Sequence, residues 1–463
     1  NVIIPIFYWG GHNVSWMQIL FAIEFLKLDA NLIFIFNDEI LNKTRLSLNL
    51  NLVKRTILRL QRLNYAKKIS VPSQVVNVKT GNFYEIARKK VYFNQQWEEK
   101  KTINLSEFNP DPELIIDNEK VCGLISTVLS ENDIDLCVCP GGIYGNSYLW
   151  RKVCDELGVR FSSFDGDAWT MFTPDGVAAH RYDIIHAISL FKAQPDISKN
   201  SISSDFEKDV FADIYKRSLL TFSDINDYFS RYSPSNIGES ELRLFIEKFR
   251  NSVVKKDFYF DNVVIFLNAS WDASALDQEP WDISQSNWLD YLMEDLGSNG
   301  TSIVTLRQHP DEKFFPSTDD YLSSIAKYEK KFPNLKIHLI DASSSISSYD
   351  LILGATSVFT FTSTIGLEAC ILGKPTFVFK ENYQVKLGAL VQYKPGKISE
   401  CSNEYYLNYK KLREISILCY YFGQITGYED ISILELYNHV GDPKFHKRFS
   451  EISKMILTFE KTT

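Results

Sequence analysis

From the amino terminus to about residue 190, short apolar runs alternate with longer amphipathic stretches, the pattern of βαβ units and a parallel sheet. Runs rich in Val, Ile, Leu and Phe predict strands at Val2–Phe7, Leu32–Phe36, Gln74–Val78, Ile134–Cys139 and Arg160–Phe164. Helices are predicted between them at Ser15–Leu26, Leu41–Leu63 and Ser147–Leu157. In the last, Leu149, Val153 and Leu157 recur on one face. From Pro195 to Lys256 the chain becomes polar and helical, with candidate helices at Asp205–Leu220 and Glu239–Val253. A second alternation then begins. Strands are predicted at Val263–Leu267, Ser302–Leu306, Lys336–Ile340, Val358–Phe361 and Thr376–Phe379, around helices Gln285–Leu296, Tyr321–Lys331 and Ile365–Leu372. The pattern from Glu404 onward is helical.

The expected architecture is α/β, with two Rossmann-like open parallel-sheet domains. Residues 1–195 would form an N-terminal Rossmann-like acceptor domain and 196–256 a helical connecting segment. Residues 257–403 would form the C-terminal Rossmann-like donor domain and 404–463 a helical tail. Two such domains place a cleft between the carboxyl ends of their sheets, where open α/β folds bind ligands.

The chain's 463 residues leave room for two large domains, and 45% apolar with 23% charged residues is ordinary for a globular protein. High counts of Phe (32) and Tyr (24) predict aromatic-filled cores. A formal charge of −8 argues against a nucleic-acid binder, so any anionic ligand must be met by local groups. Of the seven Cys, Cys122, Cys137, Cys139 and Cys154 lie in or beside apolar segments, and the odd total without regular spacing suggests reduced core thiols. Cys137-Val138-Cys139 has no second ligand pair to make a metal site. There is no run of eighteen apolar residues, and Asn1–Trp9 lacks the basic flank and cleavage site of a signal peptide. The expectation is a soluble, cytoplasmic protein, and a start at Asn rather than Met suggests a trimmed terminus.

Candidate chemistry gathers at strand ends. In Phe361-Thr362-Ser363-Thr364-Ile365-Gly366-Leu367-Glu368-Ala369, between a strand and a helix, Thr362, Ser363 and Thr364 offer hydroxyls and N-caps. Gly366 would let a ligand approach the backbone, and the helix N-terminus favours an anion. Glu368, one turn in, could accept hydrogen bonds from a ribose diol, or be an ordinary solvated Glu. In Thr305-Leu306-Arg307-Gln308-His309-Pro310, Arg307 can bridge two phosphate oxygens and His309 can donate to a phosphate leaving group.

These two segments, followed by Leu372-Gly373-Lys374-Pro375, resemble the carboxyl-terminal half of bacterial surface-polysaccharide glycosyltransferases of the capsule-synthesis type. The resemblance extends back to Asn268-Ala269-Ser270-Trp271-Asp272 and Asn287-Trp288-Leu289 and covers roughly Val263 to Tyr383. It implies the two-Rossmann-domain glycosyltransferase B (GT-B) fold, with Arg307, His309, Ser363 and Thr364 on phosphate and Glu368 on ribose. Asp272 either lines the donor site or caps the turn after it.

The amino-terminal half carries three further candidates. Gly10 and Gly11 precede His12 after the first strand, where the glycines would admit a substrate and His12 is available as a base, unless the segment is only a tight turn. Gly141 and Gly142 in Pro140-Gly141-Gly142 lack the Lys and spacing of a phosphate loop and read as an acceptor-facing turn. Asp165 and Asp167 are two carboxylates at the next strand end; Phe164-Asp165-Gly166 resembles the acidic-acidic-Gly motif of bacterial sialyltransferases with its first acid lost, and Asp165 leads His12 as the candidate base. Lys54, Arg55, Arg59, Arg62, Lys67 and Lys68 form an acid-free basic run among Ile57, Leu58, Leu60 and Leu63. It is either a core-facing helix with a solvated basic face or a peripheral contact for the inner face of a membrane.

Together these point to a metal-independent glycosyltransferase with no cofactor beyond its nucleotide-sugar substrate, CMP-sugars being candidate donors. The acceptor would be a hydroxyl of a surface glycan or lipid-linked glycan. The alternatives are a glycerol- or polyol-phosphate transferase of teichoic-acid type, which would normally add an Asp-Tyr-Ser-Ser segment absent here, a sugar 2-epimerase, and an inactive glycan-binding subunit with the same fold.

Overall fold

The structure, a computed structural model, describes residues 1–6, 13–40, 46–63, 67–72, 78–165, 171–193, 204–219, 239–250, 260–425 and 443–459. Gly10, Gly11, His12, Asp167 and most of the predicted strand Gln74–Val78 lie outside them. The chain divides into two compact units. The first comprises 1–95, 109–183 and 428–463, and the second 96–108 and 184–427.

Each unit is built on a six-stranded sheet. In the first, β1 (Val2–Ile6), β2 (Leu32–Phe36), β3 (Ile69–Ser70), β4 (Leu136–Pro140), β5 (Arg160–Asp165) and β6 (Met171–Thr173) take the order β3-β2-β1-β4-β5-β6. All pairings are parallel except β5 with β6. In the second, β7 (Asn262–Phe266), β8 (Ile303–Arg307), β9 (Lys336–Ile340), β10 (Ser357–Thr360), β11 (Thr376–Val378) and β12 (Val391–Gln392) take the order β12-β11-β10-β7-β8-β9, all parallel. Both orders run outward from the first strand and then switch to its other side, the doubly wound Rossmann arrangement. The chain thus has two Rossmann-like open sheets, as its apolar runs predict.

Central strands such as Leu32-Ile33-Phe34-Ile35-Phe36 are apolar throughout and buried along their length, because helices cover both faces of a parallel sheet. The edge strand β9 instead alternates, burying Ile337 while Lys336 and His338 face solvent. Local capping sets the helix limits. Ser47 Oγ accepts the Leu50 N–H at 3.3 Å, so the basic helix runs Leu48–Leu63, starting later than the predicted Leu41. Its Leu50, Val53 and Ile57 are buried while Arg55, Arg59 and Arg62 are exposed, the arrangement of a core-facing stripe with a solvated basic face.

Aromatic rings fill both cores. In the second unit Phe361 and Phe379 stack at 5.6 Å with the buried Trp288 against both. In the first, Phe21 packs on Phe164, Phe172 and Phe449. Phe449 comes from the terminal helix Pro443–Thr458, whose last carbonyls, Ile456 O and Leu457 O, accept from the Arg160 guanidinium. All seven cysteines are buried thiols, and burial pushes Cys122 up to about 12 and Cys370 up to about 11. Among the described residues, no helix is long and apolar enough to cross a membrane.

Candidate functional site

Strand register brings the second unit's candidate residues together. Phe266 at the end of β7 is paired with Arg307 on β8 to one side and with Thr360 on β10 to the other. Asn268, His309 and Thr362, each two residues further on, therefore leave the sheet at one level. β7 and β10 are the strands between which the winding reverses, the usual ligand position in such sheets.

The row is braced by amide side chains. Asn268 Nδ2 donates to Thr362 Oγ1 at 2.8 Å, and Thr362 N donates to Asn268 Oδ1 at 3.2 Å, so one amide clamps both sides of the switch point. Gln285 holds that amide's backbone in turn, accepting from Asn268 N at 2.8 Å and donating to Asn268 O at 2.9 Å. Asn382 Nδ2 donates to Thr362 O at 3.3 Å. Thr362 is thus a buried structural hydroxyl.

Ser363 and Thr364 differ. The N-cap expected of them is not made: Thr364 has helical backbone angles (φ −65°, ψ −21°) and forms no side-chain cap to the helix Ile365–Ile371. Both are partly exposed, and neither hydroxyl has a hydrogen-bond partner among the described residues. Gly366 has no positive φ. A Cβ there would meet Leu390 at 3.1 Å and Thr360 at 3.2 Å, so core packing rather than ligand approach accounts for the glycine.

His309 caps the turn Pro310–Lys313, its Nδ1 accepting the Asp311 N–H at 3.2 Å. A neutral ring accepting at Nδ1 carries its proton on Nε2, and with the side chain 30% exposed that N–H is a donor poised at the strand end. Arg307 is 5% exposed. Its guanidinium donates to Asp341 O and, at 3.5 Å, to Ser344 O, leaving Nε without a partner, and burial lowers its pKa. Asp272 is used as a cap, accepting from Ser274 N at 2.8 Å and Ser274 Oγ at 2.7 Å. Glu368 is 3% exposed, and its Oε2 accepts from the buried Tyr349 hydroxyl at 2.6 Å. The solvated carboxylate suggested by its place in the sequence is in fact a buried one.

Sequence reasoning passed over Glu312 and Lys380. Glu312 lies within the turn capped by His309 and is buried; Ser317 Oγ donates to its Oε2 at 3.1 Å, Oε1 has no partner, and burial raises its pKa to about 7. Lys380 follows β11 with its Nζ donating to Pro280 O and, at 2.8 Å, Ile283 O, and burial lowers it to about 7. Asn268 was visible only within a longer motif. A lone Asn, Glu or Lys after an apolar run carries no periodic signal of burial.

In the first unit, Gly141 and Gly142 have φ of 68° and 117°, and a Cβ on Gly142 would strike Phe161 and Val177 at 3.2 Å. Their N–H groups are taken by Phe164 O at 2.8 Å and Ser147 Oγ at 3.1 Å, which sets this turn beside the end of β5, where Asp165 is partly buried.

No protein-family model and no curated protein matches the chain. Among solved structures it is similar to the beta Kdo 2,7 transferase KpsC of Thermosulfurimonas dismutans, at 14% identity over 69% of this chain and 89% of that one, with a TM-score of 0.34. It is similar to UDP-GlcNAc 2-epimerase from Neisseria meningitidis at 9% identity over 95% and 99%, with a TM-score of 0.26. The wall teichoic acid polymerase TagF is similar at 13% identity over 99% and 90%, with a TM-score of 0.24. TM-scores this low leave the functional reading to the strand-end residues themselves.

Proposed function

We propose that the protein is a glycosyltransferase of GT-B type that moves a sugar from a nucleotide donor to a hydroxyl of a surface-glycan acceptor. The observation that supports it most is the level row at the ends of β10, β7 and β8. There the unpartnered hydroxyls of Ser363 and Thr364 lie two strands from the Nε2–H of His309. Two strand spacings are ~10 Å, a span suited to a nucleoside diphosphate. In this reading the hydroxyls and the adjoining helix start hold one phosphate, and His309 donates to the oxygen that leaves the sugar. Such preorganised donors act where charge develops in the transition state.

Arg307 acts by fixing the Asp341–Ser344 loop unless it is released on binding. Glu368, held by Tyr349, braces the helix it belongs to. Asp165 is assigned the proton of the acceptor hydroxyl, with His12 as its rival. The exposed arginines of the helix Leu48–Leu63, with exposed Leu48 and Leu52, suit an anionic bilayer presenting a lipid-linked acceptor.

The test is a thermal-shift screen of the full chain against CMP, CDP, UDP and GDP. A nucleotide at 100 times its dissociation constant should stabilise the protein by ~2.7 kcal/mol. The shift should shrink in a Ser363→Ala, Thr364→Val double variant. No shift with any of the four would remove the transferase reading.

A further inference from the structure

The segment 96–102 comprises the last turn of the helix Tyr84–Glu99 and the residues after it, and lies in the second unit, on the loops that follow β7 and β8. One carbonyl joins the two loops. Lys100 O accepts from Ser270 Oγ of the β7 loop at 3.1 Å and from Thr318 N of the β8 loop at 2.8 Å. Thr318 Oγ1 adds a bond to Glu99 O at 3.0 Å. Thr102 completes the attachment, its N and Oγ1 donating to Asp319 Oδ1 and Oδ2 at 2.9 and 3.0 Å. Rings extend the contact: Trp97 meets Trp271 edge-on at 5.7 Å, Trp271 meets Phe315 at 6.0 Å, and Trp271 Nε1 donates to Phe315 O at 3.3 Å.

The loops tied in this way carry Asp272 and His309. Between His309 and Asp320 the only regular structure is the four-residue turn Pro310–Lys313. A turn of that length does not hold its own position. The His309 ring is oriented by the Asp311 N–H, and the chain after that turn is fastened to the segment 96–102 at Thr318 and Asp319. Both Asp319 oxygens are engaged on this segment, and a half-buried carboxylate that loses such partners is destabilising.

We propose that residues 96–102 form a positioning strap across the ends of β7 and β8, and that Thr102 and Asp319 are positioning residues for His309. The inference rests on His309 facing a nucleotide phosphate, and the test separates the two ideas. CMP, CDP, UDP and GDP are titrated into the full chain. For whichever binds, Thr102→Val should weaken affinity about fivefold, the loss expected of one displaced hydrogen bond, and Thr102→Ser should restore it. In a His309→Ala background, Thr102→Val should change nothing further, since residues acting as one unit are not additive. Equal losses in both backgrounds, or parental binding by Thr102→Val, would overturn the strap. If the parent binds none of the four nucleotides, the phosphate reading fails and the strap is judged by nitrogen NMR of His309. The parent ring should show its proton on Nε2 and Thr102→Val a shifted tautomer balance; an unshifted ring overturns the strap on its own.

Discussion

The two sheets share one strand order and treat their carboxyl ends differently. In the first unit the turn after β4 is shaped by backbone: Gly141, Gly142 and Gly145 all have positive φ, and their N–H groups are taken by Phe164 O, Ser147 Oγ and Asn94 Oδ1. In the second, none of residues 268–272, 307–312 or 361–366 has a positive φ, and the edge is held by the amides of Asn268, Gln285 and Asn382. An edge shaped by glycine spends its N–H groups on the protein. An edge braced by side chains leaves hydroxyl and imidazole groups free to meet a ligand, which is why phosphate chemistry is assigned to the second unit.

The sharpest way to break that division is to remove one group from each edge. His309→Ala should lower kcat by ~10²–10⁴-fold and also weaken nucleotide binding, if the positioned donor meets the phosphate as proposed. Asp165→Asn should lower kcat by a similar factor while nucleotide affinity stays parental, with His12→Ala as the comparison. Stopped transfer assays and calorimetry of the same samples check both. A loss of nucleotide affinity in Asp165→Asn would put phosphate contacts on the first unit and end the distinction.

The cores can be separated in the same manner. Phe449 is 2% exposed and packs on Phe21 at 4.6 Å, so Phe449→Ala should cost ~3–5 kcal/mol through lost burial and a cavity. Hydrogen exchange should quicken in β1, β2 and β4 and stay unchanged in β7, β8 and β10. Equal loosening of both sheets would mean that the two cores unfold as one.

What the sequence made legible follows from the same physics. Leu32–Phe36, Lys336–Ile340 and Tyr321–Lys331 coincide with their predicted limits, since uninterrupted or periodic apolar positions report burial directly. The three-residue β6 and two-residue β12 are too short to show a period. The site was legible as a set of strand ends, and the register brings Arg307, His309 and Thr362 to one edge. The state of each group was not legible. Asp272 looks identical in sequence whether it caps or binds, and Glu368 lies one helical turn from Thr364 yet is buried by Tyr349, nineteen residues away. Phe449 belongs with Phe21 and Phe172, partners no local window contains.

Glu312 gives the smallest expected effect and the closest look at the second edge. Its carboxyl is 6% exposed, and burial raises its pKa from an ordinary 4.5 to about 7, with the nearby charges of Asp319 and Asp311 adding to the rise and the Ser317 hydroxyl opposing it. The folded protein therefore holds this proton more tightly than the unfolded chain does. Its contribution is most favourable below pH 4.5, declines as pH rises from there to about 7, and is constant above. The full shift corresponds to at most ~3 kcal/mol, reduced by loop relaxation. Glu312→Gln keeps the shape and removes the titration, so its stability relative to the parent should climb between pH 4.5 and 7 and then level off. Asp319, also raised by burial, slopes the same way in both proteins, so that only its coupling to Glu312 is left in the comparison. Hydrogen exchange of β8 across this range is the measurement, because it reads the edge that carries His309. A difference between variant and parent that does not change with pH would mean that Glu312 is ionised and solvated in the fold, and that the edge of the second unit is more open than its braces imply.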